Sequence, residues 1–476
     1  MRNIVVKYCA VFVFCTLKYF RMEIDMKEER GSFSGSIGFV LAAAGSAVGL
    51  GNLWRFPYLA AQYGGGIFIF VYLILALTFG FSLLTLEIGM GRKTKGSALR
   101  AFPIFHKKFA FVGYCATLVP IIILPYYCVI GGWVLKYMVA YLTGQGSLAA
   151  DSSYFGAYVS QVNEPLIYFL VFLFATTLIV LCGVKNGVER VSKMLMPILL
   201  VLAVAIAVYV GTIPGAMDGI KYYVLPDFTK FSIKTVCAAM GQLFFSMSLA
   251  MGIMISYGSY VHDDVNVMES VNHIEIFDTV VALLSGFMIV PAVYIFSGEE
   301  GLKSSGVGLM FSTLPKVFAD MPFGNFIGGV FFILVFLAAL TSSISVLEAI
   351  VSNIIDKFAI SRTKAGIGIG IFSFFLGIPS ALGFGALSGI TPLGMDFLTF
   401  FDYVSNSVLM PITALFTCIL FGWVIGTKPI EDEVTKNGES FNRRKIFRFM
   451  IRYAAPVCLV VILIFYSLAQ FGVISV

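Results

Sequence analysis

Residues 42–66 read AAAGSAVGLGNLWRFPYLAAQYGGG. The stretch lies inside an apolar run long enough to cross a bilayer, yet Gly45, Gly49 and Gly51 interrupt it, and Asn52, Arg55 and Pro57 follow. Each glycine leaves the backbone poorly constrained and costs a helix up to about 1 kcal/mol relative to Ala. In hydrocarbon a frayed backbone is intolerable unless its freed N–H and C=O groups face something polar. A membrane helix broken at its middle is therefore a candidate binding site.

The rest of the chain agrees with a membrane setting. Of the 476 residues 59% are hydrophobic and 12% charged, and the mean hydropathy is +0.93. Soluble globular domains average about half apolar residues, so a polytopic all-α membrane protein is expected. The net charge of +6 sits in loops between apolar segments and is no nucleic-acid signature. The eight cysteines show no metal-type spacing, and the connection 143–165 has none, so they read as small packing residues. His106, His262 and His273 form no cluster.

Segments of spanning length, about 20 residues or more, fall near 37–62, 67–90, 110–142, 166–183, 191–213, 235–260, 274–297, 324–357, 366–384, 396–425 and 446–474. The connections 91–109, 184–195, 357–365 and 426–445 are basic, whereas 143–165 lacks Lys and Arg. The excess of cations on one side places the start of the first span in the cytoplasm. Eleven crossings then leave the C-terminus outside, in a multi-pass protein of the plasma (inner) membrane. Residues 1–26 are apolar but short and carry Lys7 and Lys18. They fit a signal-like or interfacial segment, or an upstream start codon with the functional chain beginning near Met22 or Met26. Residues 27–476 are expected to form one transmembrane domain.

The sixth span is interrupted too, at SMSLAMG (246–252), five spans after GSAVGLG (45–51). Matching breaks in two halves of odd helix number are what an inverted repeat produces. Repeat one would cover about 37–213 and repeat two about 235–425, with the segment 446–474 as an extra helix.

AGSAVGLGNLWRFPY followed by GGG resembles the first transmembrane helix of the neurotransmitter:sodium symporters, in particular the bacterial LeuT-like amino-acid transporters. The likeness continues in GQLFFSMSLAMG (241–252), GVGLMFSTLPKVFADMP (306–322) and ALTSSIS (339–345), in the family's order. It implies the LeuT-like 5+5 inverted repeat and sodium-coupled transport of small molecules.

The resemblance also distributes roles. Gly49 and Gly51 lie at the first break, where the positive end of the outer half-helix suits a carboxylate. Monoamine carriers place an Asp where this chain has Gly49, so a substrate bringing its own carboxylate, an amino acid, is implied. Tyr127 matches the tyrosine that binds that carboxylate; an interfacial-belt tyrosine is the plainer alternative. The substrate ammonium would meet the carbonyls of Ala47, Phe245 and Ser246 and the Ser248 hydroxyl. Ile123, Met251 and Val346 would line an apolar, possibly aromatic, side-chain pocket.

Two sodium sites are implied. One takes the carbonyls of Gly45, Val48 and Ala338 with the hydroxyls of Thr341 and Ser342. The other takes Ala47, Asn52, Ser246 and Asp278. Serines and threonines in membrane helices usually bond their own backbone or a neighbouring helix, so these hydroxyls gain weight only beside the broken first span. An acidic residue inside a span costs roughly 2.5–3.5 kcal/mol on insertion scales, so Asp278 is functional by default unless it is wetted from the cytoplasmic end. Chloride-dependent relatives carry Asn at that place, so no chloride requirement is expected. Arg55 and Asp402 match an external gate with Phe245 as the lid. Arg30, Asp356 and Tyr260 match the cytoplasmic gate, although Arg30 and Asp356 also fit membrane-surface anchoring. Glu87 is expected to accept from backbone N–H groups freed by the breaks, and Glu348 has no role readable from the sequence.

The function expected is therefore a sodium-coupled amino-acid symporter working by alternating access, its partners being the amino acid, sodium ions and the bilayer. A membrane sensor that keeps the site without transporting is the alternative. An intramembrane enzyme is disfavoured, because no Ser–His pair or metal-type cluster appears.

Overall fold

A computed structural model of the chain describes residues 31–302 and 306–470. Residues 1–26, Arg30 and the last six residues lie outside that description. Among the described residues the chain is helical throughout, with no β-strand. Among these residues nine helices are long and apolar enough to cross a membrane, ten if one bent pair counts as a single span.

That bent pair is α1 (Ser36–Ala47) and α2 (Gly51–Gln62), which meet at 47°. Val48 between them is extended, with φ −80° and ψ 96°. Then come α3 (Gly66–Thr94), α4 (Lys107–Leu142), α5 (Asn163–Leu181) and α6 (Val184–Gly211). The expected sixth crossing is divided into α7 (Ile233–Ser246) and α8 (Ile253–Ser259). The remaining spans are α9 (Val267–Gly298), α10 (Gly324–Phe358), α11 (Arg362–Leu382), α12 (Phe397–Val424) and α13 (Arg444–Leu468). Two boundaries depart from the expectation. The basic connection 184–195 is already helical from Val184, and α9 begins at Val267, seven residues before 274.

The second break holds unusual backbone. Ser248 (φ 53°) and Ala250 (φ 60°) adopt left-handed conformations that L-residues seldom take, and Gly252 (φ 70°) follows. Such residues persist only where the surroundings fix them. Here the Ala250 N–H donates to Glu87 Oε1 at 2.7 Å, and the Ser248 hydroxyl donates to the Ser46 carbonyl at 3.1 Å. The buried carboxylate of Glu87 on α3 therefore occupies a backbone group that the break released.

Small residues let the broken helices sit tightly against their supports, as membrane interfaces favour. A Cβ at Gly91 would come within 1.9 Å of the Ile255 carbonyl oxygen, and one at Gly258 within 2.4 Å of the Ile88 carbonyl oxygen. Those reciprocal glycines lock α8 against α3. Several spans also contain a π-helical turn, among them Gly51–Arg55 in α2, Ala76–Gly80 in α3 and Tyr403–Leu409 in α12. The six described cysteines are free.

Candidate functional site

Both breaks open onto one cavity of about 20 Å³, room for about one water molecule. Its walls are Ala47, Gly49, Gly51, Ile123, Tyr127, Phe245, Ser248, Met251 and Val346, joined by Ser46 and Ser342. Of the residues expected around a substrate, Ser246 is the exception. Its hydroxyl turns from the cavity to Asp278 Oδ2 (3.2 Å) and lies 3.1 Å from the Tyr72 hydroxyl.

The end of the cavity at the first break is polar. The Leu50 N–H donates to the Tyr127 hydroxyl at 3.2 Å, so a backbone donor at the start of α2 and a phenol meet at one point. A Cβ at position 49 would fall 2.3 Å from Ser342 Oγ and 2.8 Å from Tyr127 Oη. Only glycine fits there in this arrangement. A Cβ on Gly51 would press to 2.7 Å of the Phe245 ring, so the ring lies directly on the break. The opposite end, formed by Ile123, Met251 and Val346, is apolar.

Beside the cavity, oxygens gather around Ser342. Its hydroxyl donates towards the carbonyls of Ser46 (3.1 Å), Gly45 (3.3 Å) and Val48 (3.4 Å). The Thr341 hydroxyl bonds the Ala338 carbonyl at 3.1 Å, and a Cβ on Gly45 would touch Thr341 at 3.4 Å. Four carbonyls and two hydroxyls thus gather from α1, the break after it and α10. An all-oxygen set from a broken helix and its neighbour suits an alkali cation. Among the described residues no group of three or more His, Cys, Asp or Glu could hold a metal ion.

A second polar knot surrounds Asp278 on α9, which is fully buried. Asn52 Nδ2 donates to its Oδ1 at 2.7 Å and to its carbonyl at 3.1 Å. The Tyr72 hydroxyl donates to Oδ2 at 3.0 Å. Asn52 Oδ1 in turn accepts from the Gly49 N–H at 3.3 Å, which joins this knot to the first break. Asn52, Ser246 and Asp278 are therefore in direct contact, while Ala47 lines the neighbouring cavity. Among the groups that hold Asp278, Tyr72 carries no sequence signal, being one aromatic in the apolar run IFIFVYLIL. Gln242, which donates to the Gly51 carbonyl at 2.8 Å, and Ser285, which donates to the Asn52 carbonyl at 2.5 Å, were equally silent.

Beyond Phe245 and Tyr127 lies a vestibule of about 350 Å³ that shares both residues as a wall with the inner cavity. Arg55 and Asp402 line it. Arg55 stacks over the Phe245 ring at 5.6 Å, and Asp402 accepts from Tyr126 Oη (3.1 Å) and Asn406 Nδ2 (2.5 Å). The two do not form an ion pair in this arrangement, in which Asp402 is held by Tyr126 and Asn406. At the other end, Asp356 accepts from the Ser97 N–H at 2.7 Å. The Tyr260 hydroxyl donates to Glu348 at 2.7 Å. Glu348 is fully buried and also pairs with both terminal nitrogens of Arg362, at 2.6 and 2.9 Å. Arg30, the expected partner on this side, lies outside the described residues.

Comparison with known proteins matches this architecture. The model of the sodium:neurotransmitter symporter family matches residues 30–155 and 153–474. The sodium-dependent transporter YhdH of Bacillus subtilis (strain 168) is 34% identical over 440 residues, covering 90% of this chain and 96% of its own. A sodium-dependent transporter of Methanocaldococcus jannaschii is 33% identical over 429 residues, covering 86% of this chain and 85% of its own. The crystal structure of MhsT in complex with L-phenylalanine superposes with a TM-score of 0.84 at 34% identity, covering 92% of this chain and 99% of that one. Proteins of this family are sodium-coupled carriers rather than enzymes. A chain with these spans, these breaks and these relatives belongs to the sodium:neurotransmitter symporter family and is a multi-pass, sodium-dependent membrane transporter.

Proposed function

We propose that the protein carries a zwitterionic amino acid with an apolar, possibly aromatic, side chain into the cell together with sodium, by alternating access and without chloride. The observation that carries this reading is the meeting of the Leu50 N–H, the Tyr127 hydroxyl and the side-chain-free Gly49 at the positive end of α2. Position 49 supplies no carboxylate of its own, so a carboxylate brought by the substrate would meet these donors once the cavity widens to admit it. The apolar end of the cavity supports an apolar side chain, and the phenylalanine bound to MhsT favours an aromatic one.

The oxygen set around Ser342 and Thr341 supports one sodium site, and the Asn52–Ser246–Asp278 knot supports another. Two cations and a zwitterion in one low-dielectric site leave excess positive charge, which is costly unless an anion compensates it. Asp278 supplies that charge within the protein. Ion and substrate binding together favour closure beneath Phe245 through differential affinity for the closed state. Sodium entering down its gradient supplies about 2.3 kcal/mol per charge per 100 mV, plus the concentration term. Repeats at about 37–213 and 235–425, a cytoplasmic N-terminus and an external C-terminus belong to the same reading.

Uptake of radiolabelled amino acids into proteoliposomes, with and without an inward sodium gradient, tests it. Gradient-driven accumulation is expected. Saturable sodium-dependent binding without accumulation would favour a sensor.

A further inference from the structure

A recess of about 720 Å³ lies away from the substrate pocket, between α3, α9 and the segment leading into α13. That volume is within the roughly 300–1,000 Å³ typical of ligand sites. Glu269, Asn272, Ile276 and Val280 recur along α9 at intervals of three or four, so one face of that helix forms a continuous wall. The wall changes character along its length. Ile276 (58% exposed) and Val280 (41%), with Leu77 opposite on α3 (55%), present bare hydrocarbon at the surface. The other end is polar, with Asn272, Ser440 and Asn442 around the exposed Glu269.

The charges of the recess are unequally satisfied. Arg443 donates to both Glu275 oxygens (3.2 and 2.8 Å), to Asn272 Oδ1 (2.5 Å) and to the Leu77 carbonyl (3.0 Å), and its guanidinium lies 3.4 Å from the Phe81 ring centre. Glu275 and Arg443 cancel in charge, and both terminal nitrogens of Arg443 are committed to Glu275, Asn272 and Leu77, so the pair offers an anion no net positive charge. Glu269 has no side-chain partner among the described residues, so the mouth carries one uncompensated negative charge. An anionic head group would be repelled, whereas an ammonium would find a charge-assisted hydrogen bond.

We propose that this recess binds one aminophospholipid of the surrounding bilayer. Its ammonium sits on Glu269, its phosphate accepts from the Asn442 amide and Ser440 hydroxyl, and an acyl chain runs along Leu77, Ile276 and Val280. A primary ammonium donates to the carboxylate directly, which a trimethylated head group cannot do. The walls are the same two helices that carry Tyr72 and Asp278, so a lipid seated between them would brace the contact that holds the buried carboxylate.

The full-length protein in nanodiscs of equal phosphatidylethanolamine, phosphatidylcholine and phosphatidylglycerol, released for native mass spectrometry, tests this. One retained phosphatidylethanolamine per chain is expected. Ile276→Trp fills the apolar wall and should abolish retention. Glu269→Gln should cut the preference for phosphatidylethanolamine over phosphatidylcholine at least severalfold. Thermal midpoints in the same nanodiscs check the fold, and Val280→Trp replaces Ile276→Trp if that variant melts early. Equal retention of all three lipids, preference for phosphatidylglycerol, no retained lipid, or wild-type behaviour in the variants would each overturn the assignment.

Discussion

Replacing Gly49 by Ala adds one methyl group at the point where the proposed substrate and ion sites touch. Built on this backbone, the new Cβ lies 2.3 Å from Ser342 Oγ and 2.8 Å from Tyr127 Oη. The tyrosine ring is rigid and buried, so it cannot yield cheaply. Serine can escape by rotating about χ1, but that withdraws its hydroxyl from the Gly45 and Val48 carbonyls it now approaches at 3.3 and 3.4 Å. Either adjustment damages a proposed ligand set. Overpacking of this kind costs about 1–3 kcal/mol; borne by the ligand-bound arrangement, in which Ser342 and Tyr127 must hold their places, that cost lowers affinity by up to roughly 5- to 140-fold. The assay is equilibrium binding of the transported amino acid to detergent-purified protein across a sodium titration. Both the amino-acid Kd and the sodium concentration for half-saturation should rise. Wild-type values for both in a correctly folded Gly49→Ala protein would refute the idea that Gly49 makes room for the substrate carboxylate.

Three further outcomes follow from the same geometry. Thr341→Ala combined with Ser342→Ala removes both hydroxyls from the six gathered oxygens and should abolish sodium-driven uptake in proteoliposomes; undiminished uptake would remove the ion site proposed there. Tyr127→Phe leaves the Leu50 N–H without its partner and should weaken substrate binding by roughly 0.5–3 kcal/mol, read by isothermal titration. Replacing chloride by gluconate should leave wild-type uptake unchanged, whereas Asp278→Asn should depress it, and a strong chloride requirement in the unmodified protein would show that Asp278 is not the compensating charge.

The breaks were legible because glycine, serine and asparagine weaken a spanning helix where hydrocarbon offers the freed backbone no replacement hydrogen bonds. Gly45, Gly49 and Gly51 marked the first, and 246–252 marked the second, whose left-handed residues Ser248 and Ala250 are not glycines. The expectation that Glu87 serves freed backbone rested on the same reasoning, and its bond to the Ala250 N–H has that form. What stayed hidden was tertiary. Tyr72 reaches Asp278 across more than 200 residues, and an aromatic in an apolar run looks like packing. Glu348 had no readable role because its partners, Arg362 and Tyr260, lie on two other elements. The pairing at the proposed outer gate was also beyond the sequence: Arg55 and Asp402 suggest an ion pair, whereas in the fold Asp402 is held by Tyr126 and Asn406.

The π-helical turns have a consequence for movement. Gly51–Arg55 contains Asn52 and ends at Arg55, Ala76–Gly80 begins one turn after Tyr72, and Tyr403–Leu409 starts beside Asp402. Each therefore adjoins a group of a proposed ion site or of the proposed outer gate. A π turn holds one residue more than the α-helix around it needs, which is slack stored in an otherwise taut rod. Passing that surplus residue along the helix exchanges hydrogen bonds instead of losing them. Every side chain it passes turns by about 100°, the angle between successive α-helical residues. Asn52, Tyr72 and Asp402 can thus be re-aimed by local winding while the spans that carry them stay anchored in the bilayer.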